Sequence, residues 1–553
     1  MAISRTSAAK TGVWETPVQF SVAGWFPDLV VDAYGKVHLA WSQSRYVYEA
    51  WISLPTLAPT LTPSITPSPT ITPTITATRS FAATFTATPS QTLTPSITPG
   101  GPTRTPTITL SPTIAPIYGF DVVFYTTSQD GKNWAEVNDI LALQASSGVE
   151  VTRPKMLIDN AGFFHMTFRG RYVYYSRSTI SSSDSARQWQ EPLRISTLNM
   201  GYFSTLIQDN NKRLHLFYTE NVQLSECWIC YHLYHRYSDD HGETWADQQD
   251  VSVVNAGAAK PDVLVDEDNT VHVVWESGPG GTLGGVELPV EILYTRSTDG
   301  GTTWETPLQL TNAEILQARN PSIALDGQGR LLAVWVYLID DRYYSITSDD
   351  KGKTWSAPSL IPNVWGEQRV RDTRQDASAM KTDSKGAVHL IFTGRLAETD
   401  PSLSLLHVTW NQGRWTEVER IVNYPNGDAP EWPRVAISNG NKLHVAWFVR
   451  PRSHLWDANP AYYTIWYTNR MLDAPPREDK LYQTETLAPS PLPASPTFTP
   501  SSTPKLARTP TAPNAMELAN NEEDDLGAIA KSVLPSVGLV AVVLLVTLLR
   551  RKR

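Results

Sequence analysis

The sequence predicts an all-β protein, a seven-bladed β-propeller with a six-bladed one as the alternative, and three features carry this prediction. They are a repeated two-strand unit, a repeated turn of eight residues, and a chain start that resembles the missing end of the last repeat. A chain of 553 residues is also too long for one single-core domain unless it is built from repeats. Its 19 Trp and 22 Tyr, in segments broken by Gly and Pro, favour β structure.

The two-strand unit reads Pro-x-x-x-x-Asp, a short turn, and then an apolar strand that often carries His and ends on an aromatic residue. Clear copies run from Pro27 to Trp41, from Pro154 to Phe168 and from Pro261 to Trp275, and seven copies occur in all. From the second copy onward they recur every 50 to 60 residues, a spacing typical of propeller blades. A third strand follows, as in Tyr294–Ser297, and a fourth is predicted to begin at a Trp, as in Trp304–Leu310. Four antiparallel strands make one blade.

The eight-residue turn reads Ser-x-Asp-x-Gly-x-Thr-Trp and lies between the third and fourth strands. Full copies run from Ser238 to Trp245, from Ser297 to Trp304 and from Ser348 to Trp355, and degenerate ones from Ser128 to Trp134 and from Ser182 to Trp189. Asp and Ser accept hydrogen bonds from loop backbone donors, Gly permits a positive φ, and Trp buries a large ring. The pattern therefore predicts a stable hairpin turn.

This octamer is the Asp-box, or BNR repeat, and in it the chain resembles the sialidase-like Asp-box β-propellers over residues 12–54 and 118–475. The resemblance implies that the boxes lie on the outer rim, away from any active site. A role for their aspartates as catalytic acids is the alternative, but an Asp in a Gly turn usually caps its own backbone. We expect structural roles for Asp130, Asp184, Asp240, Asp299 and Asp350.

The N-terminal segment belongs to the last blade of the predicted ring. The seventh copy lacks a fourth strand, and the segment Trp14–Phe20 resembles a fourth strand with nothing before it, so the N-terminal strand is predicted to close the last blade. A tract rich in Thr, Pro and Ser, residues 55–117, separates the second and third strands of the first blade. We interpret it as a disordered insertion, because a domain boundary there would leave two half-blades with unpaired edges. The propeller is thus predicted over residues 1–54 and 118–475.

The C-terminal residues predict a membrane anchor. Residues 476–532 are rich in Pro and Thr, then acidic, and are interpreted as a stalk. Residues 533–549 are apolar and uncharged, at the short end of the roughly 17–25 residues that span a bilayer, and basic residues 550–553 would stay cytoplasmic. A buried helix, or a sorting signal like the one that Leu534–Gly538 resembles, are alternatives. The start of the chain has no apolar signal core, so the export route stays open.

Composition excludes several classes of function. The net charge of −9 and the absence of a basic stripe disfavour a nucleic-acid partner. Cys227 and Cys230 could bind zinc with nearby histidines, but a local disulfide or two free thiols is the favoured interpretation. We predict no metal, no cofactor and a monomer. The repeated histidines occupy equivalent places in different blades, so they cannot converge on one ion and are expected to bond locally. They are His38, His165, His215, His272, His389 and His444.

Residues just before the first strand of each blade should ring the mouth of the central channel. Cations there suit an anionic ligand, since guanidinium grips a carboxylate through two bonds. The candidate ligand-binding residues are Arg153, Lys260, Arg319, Arg371, Arg374 and Glu431. The alternative is that the arginines among them have no role in binding and are ordinary loop cations bonded to neighbouring carbonyls.

The resemblance to sialidases implies three arginines, an Asp and a Tyr–Glu pair at such a mouth. The N-terminal Phe/Tyr-Arg-Ile-Pro motif is missing, however, and Thr152–Lys155 keeps only an Arg-Pro pair. No catalytic residue can be assigned, and whether the chain is an enzyme stays open. The sequence therefore predicts an extracellular, membrane-anchored propeller that binds a glycan or protein ligand at the channel mouth, with an exo-α-sialidase or related glycosidase acting on anionic sugars as the alternative. A docking surface for assembly is a third class.

Overall fold

A computed structural model describes residues 12–44, 121–143, 151–198, 201–224, 227–253, 257–278, 291–311, 317–367, 378–455, 460–477 and 482. The chain divides into two compact units, residues 1–485 and 486–553, and all described residues lie in the first. That unit is a ring of seven antiparallel sheets, one per blade. The number of sheets confirms the predicted seven blades and excludes the six-bladed alternative.

The blades are numbered in chain order, and each begins at its innermost strand. Blade 1 contains β2 Gly24–Val31, β3 Val37–Ser44, β4 Asp121–Ser128 and β5 Asn138–Leu141. Blade 2 contains β6 Thr152–Ile158, β7 Phe163–Arg169, β8 Val173–Thr179 and β9 Leu193–Arg194. Blade 3 contains β10 Gly201–Gln208, β11 Leu214–Leu224, β12 Cys227–Ser238 and β13 Gln249–Asp250. Blade 4 contains β14 Gly257–Val265, β15 Val271–Gly278, β16 Glu291–Ser297 and β17 Leu308–Gln309.

The remaining blades follow the same order, with one extra strand and one borrowed strand. Blade 5 contains β18 Ala318–Leu325, β19 Leu331–Tyr337, β20 Arg342–Ser348 and β21 Ser359–Leu360. Blade 6 contains β22 Ala379–Thr382, β23 Val388–Gly394, β24 Leu403–Asn411, β25 Arg414–Trp415 and β26 Glu419–Tyr424. Blade 7 contains β27 Ala429–Ser438, β28 Lys442–Arg450, β29 Thr464–Met471 and, from the chain start, β1 Val18–Ser21.

The N-terminal strand closes the ring as predicted. β1 pairs antiparallel with β29, and Val18 lies opposite Tyr467. In blade 1, β3 ends at Ser44 and β4 begins at Asp121, and these two residues pair directly. Residues 45–120 therefore connect two neighbouring strands of one blade, and the predicted disordered tract lies outside the described residues.

The predicted start of the fourth strand is wrong. In blade 4 the strand begins at Leu308, not at Trp304, and is only two residues long. Pro307 lies directly before it and has no N–H to donate to a ladder. The Trp304 ring instead packs edge-on against His235 and Phe217 of blade 3, at 5.2 and 5.5 Å. The box Trp is therefore a contact between blades rather than the first residue of a strand.

The apolar core is divided among the contacts between neighbouring blades. One cluster joins blade 3 to blade 4 through Phe217, Leu233, Val273 and Trp275, and the other blade pairs have equivalent clusters. The aromatic residue that ends the repeated unit is fully buried in these clusters. Its four Trp examples are Trp41, Trp275, Trp335 and Trp447.

The Asp-box glycine makes room for the preceding blade. In blade 4, Asp266 contacts His272, whose Nδ1 lies 2.7 Å from the Tyr294 hydroxyl. That hydroxyl abuts Gly352 in the box of blade 5, where an added Cβ would overlap it and where φ is +83°. The same contact between a ring and the next box glycine recurs in four places. The pairs are Tyr175 with Gly242, His235 with Gly301, Tyr294 with Gly352, and Tyr467 with Gly131.

Candidate functional site

The two faces of the ring are built differently. The turn face holds the tight turns between first and second strands and the Asp-box turns between third and fourth strands. The loop face holds the connections between second and third strands and those between blades. The four predicted ligand-binding residues that the structure describes lie near the starts of first strands, so they belong to the loop face.

A recurrent backbone feature shapes the loop face around the channel axis. Five first strands carry a residue with φ between 48° and 57° directly before a proline. The strand pairing shifts register at these points, which marks a bulge. Positive φ is uncommon for residues other than Gly, so the surrounding contacts must hold it in place. The five residues are Phe26, Arg153, Lys260, Asn320 and Trp432.

Three of these residues, with one more aromatic ring, form a buried assembly that we call the aromatic plug: Phe26, Arg153, Phe203 and Trp432. The Trp432 ring lies 5.1 Å from that of Phe26 and 6.2 Å from that of Phe203. The Arg153 guanidinium lies 3.9 Å from the Phe26 ring centre and donates to the Tyr202 hydroxyl at 3.1 Å. No plug side chain is more than 5% exposed. The plug thus joins blades 7, 1, 2 and 3 across the mouth.

On the other side of the mouth, Glu276 holds the predicted cations of blades 4 and 5. Lys260 Nζ lies 3.3 Å from Glu276 Oε1, and Arg319 Nη1 lies 3.9 Å from Oε2. The backbone N–H of Asn320 donates to Glu276 at 2.7 Å, and Lys260 also donates to the Asn320 side chain at 2.5 Å. A fully buried carboxylate needs such partners, because an unpaired buried charge is costly.

The predicted acid of the mouth is also paired internally. Glu431 accepts a hydrogen bond from Arg450, and both side chains are buried. Arg450 in turn donates to the Leu455 carbonyl at 2.9 Å. Arg371 and Arg374, the remaining candidates, lie outside the described residues. The described candidates are therefore held in separate internal contacts rather than gathered around one open pocket.

The space left at the mouth is small. A cavity of about 60 Å³ lies between Phe203 and Trp432 on one side and Lys260 and Asn320 on the other. Ligand pockets for small molecules are roughly 300–1,000 Å³. As the described residues form it, this cavity therefore has room for water but not for a sugar ring. Sequence reasoning missed the plug, although aromatic residues directly before proline at Phe26 and Trp432 could have signalled it.

The box aspartates cap their own turns. Asp350 accepts from the Ser348 hydroxyl, the Thr354 N–H and the Thr354 hydroxyl at 2.6–2.8 Å, and these bonds lower its pKa to about 2. Asp240 and Asp299 make the same three bonds, and Asp130 accepts from its own loop. In the degenerate box at Asp184 a short 3-10 helix, Ala186–Gln188, replaces the turn.

The repeated histidines bond within their own blades. His38 bonds Asp32 and Tyr125, and His165, His272 and His389 follow the same arrangement with an Asp on one side and a Tyr or His on the other. His215 and His444 have equivalent partners. Cys230 is disulfide-bonded. Among the described residues, His, Cys, Asp and Glu form no cluster suited to a metal ion.

Comparison with known proteins agrees with this geometry. Residues 179–445 match the family of BNR repeat-like domains. Residues 179–445 are therefore a BNR repeat-like domain within the seven-bladed β-propeller. The predicted resemblance is confirmed by this match together with the seven blades and their Asp-boxes. No curated protein sequence matches the chain.

Several solved structures resemble the BNR propeller at low identity. A protein of unknown function from Dyadobacter fermentans is 12% identical with a TM-score of 0.43, over 84% of this chain and 100% of that one. The NanB sialidase of Streptococcus pneumoniae is 11% identical with a TM-score of 0.42, over 84% and 71%. A PL25 ulvan lyase is 14% identical with a TM-score of 0.41, over 59% and 84%. Because these values are low, no activity is carried over from them.

The predicted membrane helix, residues 533–549, lies outside the described residues. Within the part of the chain that the structure describes, no helix has the length and apolar character needed to cross a bilayer.

Proposed function

We propose that this protein is a membrane-anchored, extracellular BNR propeller that binds a glycan or protein ligand at its loop face without catalysis. The internal pairing of the mouth charges is the observation that carries the proposal. Arg153 is surrounded by aromatic rings. Lys260 and Arg319 are paired with Glu276, and Glu431 is paired with Arg450. A sialidase-type mechanism needs cations that are open to the substrate carboxylate.

One tyrosine near the mouth arginines, Tyr231, is also unsuited to nucleophilic attack. Burial raises the pKa of Tyr231 to about 12, and the nearby Arg169 only partly opposes this. A tyrosine nucleophile must instead be activated by a base or by a lowered pKa. This argues against the glycosidase alternative for the described residues.

The loop face carries exposed apolar side chains that a ligand could cover. They include Val253 and Ile339, 69% and 66% exposed, together with Leu198 and Tyr462. Val253 also has φ of +52°, which is rare for a β-branched residue. Strained backbone at an exposed position favours a role in binding.

The C-terminal segment favours a free loop face. The Arg477 N–H donates to the Asn439 carbonyl at 2.8 Å, and the Tyr482 hydroxyl accepts from the Ala33 N–H at 2.8 Å. Both contacts are to turns between first and second strands, so the chain leaves the propeller on the turn face. The stalk and anchor would follow from there.

A glycan array and a fluorogenic sialoside assay on the purified full-length protein test this proposal. We expect ligand binding without release of fluorophore, and binding should fall at least tenfold in the double variant Val253→Ser, Tyr462→Ala. Leu308→Ala, which changes an exposed apolar residue on an outer strand, should leave binding unchanged. Turnover that Arg319→Ala abolishes would restore the glycosidase alternative.

Protease treatment of intact cells tests the location. The propeller should be cleaved from outside, and a chain ending at residue 532 should be released into the medium. A protected propeller in intact cells, or a truncated chain that stays with the membrane, would contradict the anchored extracellular arrangement.

A further inference from the structure

The first strands of all seven blades enclose a channel below the mouth. Its volume is about 590 Å³, ten times that of the cavity at the mouth and within the range of ligand-binding pockets. The aromatic plug bounds it at the loop face. Six charged residues line it, four cations and two carboxylates: Lys155, Lys381, Arg434, Arg477, Asp28 and Asp262.

The two carboxylates already have backbone partners. Asp28 accepts from the Met156 N–H at 2.7 Å and lies 3.2 Å from Lys155 Nζ and 3.3 Å from Arg434 Nε. Asp262 accepts from the Ile323 N–H at 3.0 Å, a bond that ties blade 4 to blade 5. One carboxylate is thus shared by two cations, and the other stabilises the contact between blades.

The other two cations have no carboxylate partner among the described residues. Lys381 is an exposed side chain on the innermost strand of blade 6, and Arg477 lies at the turn-face end. The charged residues of the channel also act on the pKa of Lys155. Burial has the largest effect and lowers this pKa, and the positive charges of Arg434 and Lys381 lower it further. The carboxylates of Asp28 and Asp262 raise it. Among the described residues, the channel lining therefore carries an excess of positive charge.

We propose that this channel binds a small oxyanion with two negative charges, of the phosphate or sulfate type, between Lys155, Lys381 and Arg434. An oxyanion of this size fits the volume and adds acceptors for Lys381 and for the donor hydrogens of Lys155 and Arg434 beyond those directed at Asp28. The planar Arg434 guanidinium can hold two of its oxygens, and the ammonium groups can hold the others. Arg477 supplies a further positive charge at the turn-face end.

Thermal unfolding of the full-length protein in detergent tests the site. Sodium phosphate or sulfate should raise Tm in a saturable way, beyond sodium chloride at equal ionic strength. Lys381→Met should weaken the apparent affinity about tenfold while leaving Tm without anion unchanged, because Lys381 has no carboxylate partner to lose in the described part of the chain. Lys353→Met, at an exposed lysine of an Asp-box, should respond like the unchanged protein.

Three results would overturn the proposal. They are a response that does not saturate, an equal response in chloride, and a full response in Lys381→Met. Arg477→Met provides an independent variant outside the strands, and unchanged affinity in this variant would exclude the site even if Lys381→Met proved unstable.

The source of the oxyanion is distinguished by a second set of titrations. Inorganic phosphate and sulfate are compared with glucose 6-phosphate and galactose 6-sulfate. Binding of the inorganic ions alone indicates a free ion. Tighter binding of the esters indicates the end of a larger molecule, and no binding of any of the four overturns the proposal.

Discussion

The turn face and the loop face use polar residues in opposite ways. On the turn face the same Asp, Ser and Gly recur in blade after blade, and each box repeats the bonds of the last. On the loop face each blade contributes a different group, such as Arg153 in blade 2 and Lys260 in blade 4. Repetition indicates a structural role, but variation does not by itself indicate a binding role. The mouth charges vary and are nevertheless buried and paired.

The largest expected effect comes from opening the plug. Trp432→Ala should cost about 3–5 kcal/mol of unfolding free energy, because a buried ring in contact with Phe26, Phe203 and Arg153 is removed. Chemical denaturation measures the loss. Trp415→Ala, at a half-buried ring on the outer side of blade 6, should cost clearly less. Equal losses of unfolding free energy in the two variants would mean that the plug stabilises the protein no more than the outer strands of the blades do.

The second largest loss of stability is expected from replacing a glycine on the turn face. Gly352→Ala places a Cβ against the Tyr294 hydroxyl at positive φ, and about 3 kcal/mol of stability should be lost. Gly329→Ala is the matched control, because φ there is +74° but no atom lies within 4 Å of the added Cβ. The control should lose only about 1 kcal/mol, the cost of the backbone conformation. Equal losses in the two variants would refute the contact between blades as the reason for this glycine.

Acid should weaken the turn-face network through its histidines. Burial lowers the pKa of His407 to about 4, so the unfolded chain binds a proton here before the folded one does. Stability is therefore present above about pH 6.5 and falls as the pH drops toward 4, by about 2 kcal/mol for this group. His407→Gln should remove that part of the pH dependence between pH 6.5 and 4.5. A variant with the same slope as the unchanged protein would contradict the assignment.

The smallest effect on stability is expected from Glu220 on the loop face, and its pH dependence is opposite to that of His407. Burial raises the pKa of Glu220 to about 7, so the folded chain holds this proton longer than the unfolded one. Stability from this group is full below about pH 4.5 and is lost as the pH rises through 7. Glu220→Gln should gain about 1 kcal/mol at pH 8 and nothing at pH 4.5. A gain that is independent of pH would point to packing instead.

The sequence predicted the parts of the fold that repeat. The spacing of the two-strand unit gave the blade count, and Trp14–Phe20 predicted the strand that closes the ring, observed at Val18–Ser21. The position of the fourth strand was missed because Pro307 delays pairing after Trp304. Local pattern alone does not reveal that a box Trp packs on the preceding blade.

The candidate site was predicted only as a region. Position before the first strands placed Arg153, Lys260, Arg319 and Glu431 at the loop face, but no sequence pattern reveals their partners. Glu276 and Arg450, which pair with them, lie on second strands, 16 to 19 residues further along the chain from Lys260 and Glu431. Burial and pairing depend on contacts between blades, and these contacts decide whether a charge is available to a ligand.

The pairing of Val18 with Tyr467 has a consequence for biosynthesis. The strand made first must wait for a partner made almost 450 residues later, a separation that includes residues 45–120. Long-range pairing of this kind is slow, and incomplete chains expose unpaired edges. Blade 7 cannot be completed before β29 is made, so a chain that stops short of β29 leaves an open ring with unpaired strand edges.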